Sequence, residues 1–188
     1  MVLKQKRSYA EVKDYYEILR DDARIATHEE LPAALLNKKG GLISKSIIHL
    51  DGFTFDCQHQ LRRWEVSGSR RVAWDWRTVQ KKYQAHPKRF ELSIWHMNLF
   101  LCGAAIGKPT CSGGKLRLDY IEASPMGTPL DSLIADIAIT AGVIYARAIG
   151  ATQLRVMKPV NDIVKNHYLS KPGFSYDKKG NFCYRDLT

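Results

Sequence analysis

Paired cysteines are missing from this chain. Its four cysteines, Cys57, Cys102, Cys111 and Cys183, are widely separated and form no C-x-x-C pair. Neither a disulfide framework nor a zinc site is supported, and a reduced, cytoplasmic protein is expected. Cys57 and His59 sit close together, but no second pair of ligands has matching spacing, so no metal is expected. Long uncharged hydrophobic runs are lacking as well. The most apolar segment, residues 130–149, carries Asp131, Asp136 and Arg147, which fits a core helix and argues against a membrane span. The basic first ten residues lead into no apolar run, so no secretory signal is expected. There is no internal repeat, no low-complexity tract, and no linker that divides the chain cleanly.

Acidic residues are in short supply. The 188 residues hold 29 Lys and Arg against 19 Asp and Glu, a formal charge of +10. Residues 1–61 are balanced, nine against nine, whereas residues 62–89 hold nine basic residues against Glu65 and Asp75. That window also contains Trp64, Trp74 and Trp76. Basic residues interleaved with aromatics suit an anionic partner, nucleic acid first among the candidates. The competing explanation is a solvated basic face laid over tryptophans that belong to the core. The candidates for substrate or nucleic-acid binding are Arg62, Arg63, Arg70, Arg71, Trp74, Trp76, Arg77 and Lys81.

What is present is ordinary globular material. With 45% hydrophobic and 26% charged residues, the chain can bury a sizeable core, and disorder is excluded. Ser8 and Glu11 have capping-box spacing ahead of Val12, Tyr15, Tyr16 and Leu19, which predicts a helix from Tyr9 to Ile25. A second short helix is predicted from His28 to Asn37, stopping at Gly40-Gly41. Residues 42–55 read as a hairpin turning at Asp51-Gly52. Asp75 to Tyr83 reads as an amphipathic helix with a basic side, ended by Pro87. These helices could cover the core, and apolar surface left on the first ones could serve a homodimer.

From Phe90 the period changes. Phe90, Leu92 and Ile94 alternate with polar or aromatic residues, Leu99 to Ile106 is a buried apolar run, and Lys115 to Ala123 alternates again; together they predict a three-stranded antiparallel meander. A Pro/Gly turn (Ser124 to Pro129), a helix (Leu130 to Ile149, with Thr128 as cap and Pro129 in its first position), a strand (Ala151 to Met157) and a short helix closing on Pro172-Gly173-Phe174 follow. Strand, helix, strand in that order is a crossover unit, which needs a parallel pair. Ligands bind at the carboxyl ends of such strands. The fold class expected is α/β (α+β), a mixed sheet with an N-terminal helical extension.

This order, over roughly residues 90–174, resembles the GNAT superfamily of N-acetyltransferases. The most specific shared motif is the closing one: Asn161, Val164, Tyr168 and then Gly173-Phe174, with one extra residue between Tyr168 and Gly-Phe. The family's turn usually reads R/Q-x-x-G-x-G/A and holds the pyrophosphate of acyl-coenzyme A on backbone N–H groups. Here it is Ser124-Pro125-Met126-Gly127-Thr128-Pro129, with one glycine and no Arg or Gln.

The resemblance implies residues 90–188 as a GNAT-like acyltransferase core and residues 1–89 as a helical, basic extension packed on it. It implies acetyl-CoA as acyl donor, with Ile121, Ala123, Gly127, Thr128, Leu130 and Asn161 in its binding. Glu122 would take a proton from the attacking amine, directly or through water, and Tyr168 would give one to the departing thiolate. Strict alternation puts Glu122 on the face of Leu116, Leu118 and Tyr120, where apolar surroundings would raise its pKa. Alternatively, Glu122 is a strand-end carboxylate paired with a base such as Arg155, Tyr168 is a core aromatic, and Asn161 is a helix cap. Asp119 and His96 are further candidates for proton handling. Two functions follow: an acyl-CoA-dependent N-acyltransferase acting on a primary amine of an acidic acceptor, for example a nucleic acid or aminoacylated RNA, or a non-catalytic GNAT-like adaptor that binds nucleic acid or protein.

Overall fold

The structure, a computed structural model, describes residues 8–70 and 72–187. The first helix, α1 (Tyr9–Glu30), opens with the expected capping box: Ser8 Oγ accepts the Glu11 N–H, and the Glu11 carboxylate accepts the Ser8 N–H. It runs unbroken past the point where a second helix was predicted. Its buried face overlaps the expected apolar stripe but is rotated from it: Val12, Tyr16 and Leu19 are half-buried, Leu19 against the core. Arg20, Ala23, Arg24 and Thr27, at i, i+3, i+4 and i+7, are buried, while Tyr15 and Ile18 are exposed. Burying two guanidinium groups is tolerated because each is partnered. Arg20 donates to the carbonyls of Pro87 (2.7 Å) and Arg89 (3.0 Å) and pairs with Glu17. Arg24 reaches the Glu91 carbonyl and pairs with Asp21.

The predicted helix over residues 28–37 is instead a small hairpin of β1 (Ala34–Leu36) and β2 (Leu42–Ser44), joined by a turn at Asn37–Gly41. Gly40-Gly41 is thus a hairpin signal and not a helix stop. The hairpin expected at Asp51-Gly52 is also absent. β3 (Ile48–Asp51) pairs forward with β4 (Phe90–His96), and Gly52 leads to Thr54, which caps α2 (Phe55–Glu65), a helix the sequence pattern did not reveal. α3 (Trp76–Gln84) begins at its Asp75 cap as expected.

β4, β5 (Phe100–Pro109) and β6 (Lys115–Ala123) form the expected antiparallel meander. Then come α4 (Ile134–Ala148), β7 (Gln153–Met157), α5 (Asp162–Leu169) and the strands β8 (Phe174–Asp177) and β9 (Phe182–Asp186). The sheet has seven strands in the order β3-β4-β5-β6-β7-β9-β8, and β6–β7 is its parallel pair. One face packs on α1, α4 and α5 through Leu92, Ile94, Leu116, Leu118, Ile137 and Tyr168. The other packs on α2 and α3 through Trp64, Trp76, Val79, Trp95 and Ile106. β4 is buried on both faces, so its alternation separates two cores and not core from solvent. No described helix is long and apolar enough to cross a membrane.

One irregularity decides which side chains face which core. Ile106 pairs with Tyr120, yet the next residue of β5, Gly107, pairs with Leu118. Asp119 is therefore an extra residue, a β-bulge. Leu116 and Leu118 point to α4, whereas Tyr120 packs against the α2–α3 core. The expectation that Glu122 shares a face with Leu116 and Leu118 is corrected, because strict alternation does not survive the bulge. Gly107 is what admits it: a Cβ there would lie 1.8 Å from the Arg117 carbonyl oxygen. Gly107→Ala should destabilise the fold by about 3 kcal/mol or more, read as a lowered denaturation midpoint; a midpoint unchanged from wild type would show that the strands can part to admit a methyl group.

Candidate functional site

β6 and β7 stay paired only from Lys115–Gln153 to Leu118–Val156. At the bulge they separate. β6 continues to Ala123 against β5, and β7 continues to Met157 against β9. The gap between them is the core of a cleft of about 690 Å³. Leu118, Asp119, Ile121, Glu122 and Ala123 line one side, and Val156 to Val160 the other. The turn after β6 and the start of α4 close one end, α5 contributes His167 and Tyr168, and the α2–α3 loop contributes Ser69, Val72 and Trp74.

The backbone of β6 is available to a ligand here. The Ser124 N–H donates to the Cys102 carbonyl on β5 at 2.8 Å. Since the direction of N–H and C=O alternates along a strand, those of Ile121 and Ala123 point away from β5, into the gap β7 has vacated. An extended amide-bearing ligand could add there as a strand would.

The turn differs from its predicted form. The helix begins at Ile134, four residues later than Leu130, and its cap residue, Leu133, makes no side-chain cap bond. Thr128 and Pro129 lie in the preceding turn, where Asp131 accepts from the Thr128 N–H (2.7 Å) and hydroxyl (2.9 Å). The reason is that this carboxylate satisfies the turn locally and delays the helix. Gly127, at φ +73°, and Thr128 line the cleft. Leu130 is wholly buried in the core, so its side chain makes no contact in the cleft. The uncapped first turn of α4 presents Ile134 and Ala135 to the cleft, with the unpaired N–H groups and positive dipole end that suit a phosphate. Asn161 caps α5, accepting the Val164 N–H at 2.9 Å, and does not line the cleft. Its effect on the site runs through the placement of Tyr168.

Tyr168 is nearly buried on the cleft wall, in edge contact with His167 and tilted contact with Phe174. Its hydroxyl has no protein hydrogen-bond partner among the described residues. Burial, then the nearby Cys183 thiol and Asp136 carboxylate, pushes its phenol well above the ordinary tyrosine value. It is a neutral O–H donor at any physiological pH. Burial, reinforced by the Lys171 and Lys38 ammoniums and opposed by Asp136, holds the His167 imidazole below its usual value.

Glu122 is held differently from the free base the sequence pointed to. Its Oε1 accepts from Arg70 Nε (2.7 Å), and its Oε2 accepts from Arg70 Nη2 (2.9 Å) and Trp76 Nε1 (2.6 Å). The partner base is Arg70, from the α2–α3 loop, and not Arg155. Both side chains are buried, and the bond to Glu122 holds the Arg70 guanidinium above its ordinary pKa. The same loop is tied down again by Ser69 Oγ, which donates to the Pro125 carbonyl at 2.8 Å. Asp119, which the bulge turns into the cleft, accepts the Tyr83 hydroxyl at 2.7 Å and pairs with Arg117. His96 lies outside the cleft.

The basic window divides. Trp76 is buried and holds Glu122; Trp74 lines the cleft, 5.0 Å edge-on from Tyr120; Arg70 is buried. Arg62, Arg63, Arg77 and Lys81 are exposed on the outer side of α2 and α3, and Arg71 lies outside the described residues. Sequence reasoning missed the β1–β2 turn, which brings Asn37, Lys38 and Lys39 to the cleft. The Gly40-Gly41 pair was the available signal.

No protein-family model matches the sequence, and no curated protein matches it. Solved structures do. An acetyltransferase of the GNAT family from Staphylococcus aureus Mu50 superposes with a TM-score of 0.59 at 11% identity, covering 75% of this chain and 99% of that one. Ard1 from Thermoplasma volcanium gives 0.58 at 10% identity over 76% and 99%. The ribosomal-protein-S18-alanine N-acetyltransferase from Escherichia coli gives 0.54 at 11% identity over 75% and 94%. The chain therefore has the GNAT fold, and the match extends well beyond the residues that carried the resemblance in sequence.

Removing one member of the Arg70–Glu122 pair leaves a buried charge without its counterion. Arg70→Ala or Glu122→Ala should each cost about 3–5 kcal/mol in urea unfolding, and Arg70→Met/Glu122→Leu should recover most of it. Single variants as stable as wild type would mean that the loop is not pinned by this pair.

Proposed function

We propose that this chain is an acyl-CoA-dependent N-acyltransferase, with acetyl-CoA as donor and a primary amine as acceptor. The observation that carries the reading is the parting of β6 and β7 at the bulge, which opens a cleft with free strand edge, an uncapped helix start and a neutral tyrosine on its walls. The fold shared with N-acetyltransferases supports it. The missing glycines of the turn weigh less than the sequence implied, because Pro129 and Asp131 precede the helix and leave its own first turn available.

When bound, the donor supplies an activated thioester. Ile121 and Ala123 would hold it through their backbone groups, and the first turn of α4, with Gly127 and Thr128, would take its phosphates. Tyr168 is placed to hand its phenolic proton to the departing sulfur. The amine must lose a proton to attack. Glu122, saturated by Arg70 and Trp76, is better suited to fixing the loop wall than to accepting that proton. Asp119, at the bulge, has a side chain as buried as that of Glu122 and is held by the Tyr83 hydroxyl and by Arg117, but Arg117 is itself partly exposed, which makes Asp119 the alternative carboxylate for that proton, acting directly or through solvent. The acceptor approaches past Trp74 and Val72. The exposed Arg62, Arg63, Arg77 and Lys81 lie on the helices that carry this loop, so an acidic acceptor or a nucleic-acid-bound one is favoured.

Purified protein should bind acetyl-CoA in calorimetry and release thiol with an amine acceptor; absence of both overturns the assignment and favours a binding-only module. Tyr168→Phe should lower kcat roughly a hundredfold with KM and the fold retained. In wild type, kcat should show no loss from phenol ionisation through the mildly alkaline range, because burial raises that pKa. Charge reversal at Arg62, Arg63 and Lys81 should raise KM for an acidic acceptor severalfold at low salt and leave it unchanged at high salt. An equal KM at low salt would place the acceptor elsewhere.

A further inference from the structure

We propose that the β1–β2 turn is a second anchor for the donor's phosphates, with the ammonium groups of Lys38 and Lys39 as its ligands; this rests on reading the cleft as an acyl-CoA site. The turn is rigid. Asn37 Oδ1 accepts the N–H groups of Lys39 (3.0 Å) and Gly41 (2.9 Å), and the Asn37 N–H donates to the Gly41 carbonyl at 3.0 Å. It is also docked on the turn that precedes α4. Asn37 Nδ2 donates to the Pro129 carbonyl at 3.2 Å, and the Lys38 N–H donates to Ser132 Oγ at 3.0 Å. Two exposed lysines, more than 90 residues earlier in sequence, are thereby carried on the wall of the cleft next to the start of α4.

Their charge is uncommitted. Among the described residues neither ammonium has a carboxylate within salt-bridge reach, whereas Lys171 and Lys165 are spent on Asp136 and Asp162. Lys38 is close enough to His167 to act on its imidazole, which also lines the cleft. The need for such charge is local as well. Asp131 occupies the Thr128 N–H and hydroxyl and puts a carboxylate beside the helix start, and the turn itself contains no cation. A phosphate arriving there meets a negative group that Lys38 and Lys39 can offset. The fold thus draws its phosphate-binding charge from a different part of the chain.

The test is calorimetric binding of coenzyme A and of pantetheine, which lacks the phosphates, to full-length wild type, Lys38→Ala/Lys39→Ala, Lys38→Arg/Lys39→Arg, and Lys179→Ala, an exposed lysine outside the cleft. The alanine pair should weaken coenzyme A about tenfold or more, with pantetheine unchanged. The arginine pair should restore binding, and Lys179→Ala should equal wild type. Unchanged coenzyme A affinity in the alanine pair overturns the proposal, as does an equal loss for pantetheine or an arginine pair as weak as the alanine pair. Failure of wild type to bind coenzyme A would overturn the acyl-CoA reading itself, and this anchor with it.

Discussion

The extra residue at Asp119 governs both the packing and the opening of this molecule. Up to Leu118, β6 is an ordinary central strand, hydrogen-bonded on both sides. One residue later its side chains have exchanged faces, Tyr120 joins the tryptophans under α2 and α3, and β7 no longer follows it. A bulge bends a strand and increases its twist. In the middle of a sheet that bend leaves a gap, and a gap in a sheet exposes backbone donors and acceptors that must find partners. A ligand with amides of its own would be such a partner, so the defect in pairing and the open strand edge are one feature. Gly107, whose missing Cβ makes room for the Arg117 carbonyl, is the residue on the neighbouring strand that permits it.

Buried arginines do the corresponding work for the N-terminal elements. Arg20 and Arg24 fix α1 to the start of β4 by bonding to main-chain carbonyls, and Arg89 pairs with Glu91 between them. Arg70 fixes the α2–α3 loop to Glu122 at the cleft. An apolar contact would hold these elements equally well but with less definite register, because hydrophobic packing is non-directional, whereas a bidentate guanidinium accepts few geometries. Such pairs contribute little net stability compared with apolar replacements. They fix position, and position is what a cleft wall requires. On this view the net charge of the basic window is misleading as a guide to binding, since part of it is internal.

The C-terminal half was legible because its signals are local and agree. Alternation, a glycine helix stop at Gly150, and the Asn161 cap each specify the element they belong to, and the meander, crossover and α5 emerge as read. The first half was less so. α1 buries Arg20, Arg24 and Thr27 beside the half-buried Val12, Tyr16 and Leu19, so its apolar periodicity pointed to only part of the buried face; Ala34–Leu36 is too short to show a strand period; and α2 has a buried stripe of only Cys57, Leu61 and Trp64 among polar neighbours. At the site, Tyr168 and Glu122 could be picked out by motif and strand position, but their surroundings could not. The bulge is a one-residue slip between two strands, and Arg70 meets Glu122 across 52 residues of sequence. Neither has a local signature. Lys38 and Lys39 are invisible for the same reason, since only the docking of the hairpin onto residues 129–132 gives them a role.

The turn before α4 shows how a departure from a motif can be absorbed. A glycine-rich turn offers bare N–H groups to an anion. Here Asp131 already takes the Thr128 N–H, and Pro129 has none to give. Read as part of the helix, those two residues would block a phosphate by repulsion and by loss of donors. Placed ahead of it, as they are, they shorten α4 by one turn and move its open end to Ile134, while Asp131, exposed, becomes a fixed negative charge on the cleft wall. An anion held at that helix start would need compensating cations nearby. Asn37 and Ser132 hold the hairpin turn in that position. The altered turn and the hairpin docked on it therefore belong to one arrangement: the first withdraws donors and adds negative charge, and the second brings Lys38 and Lys39 beside it.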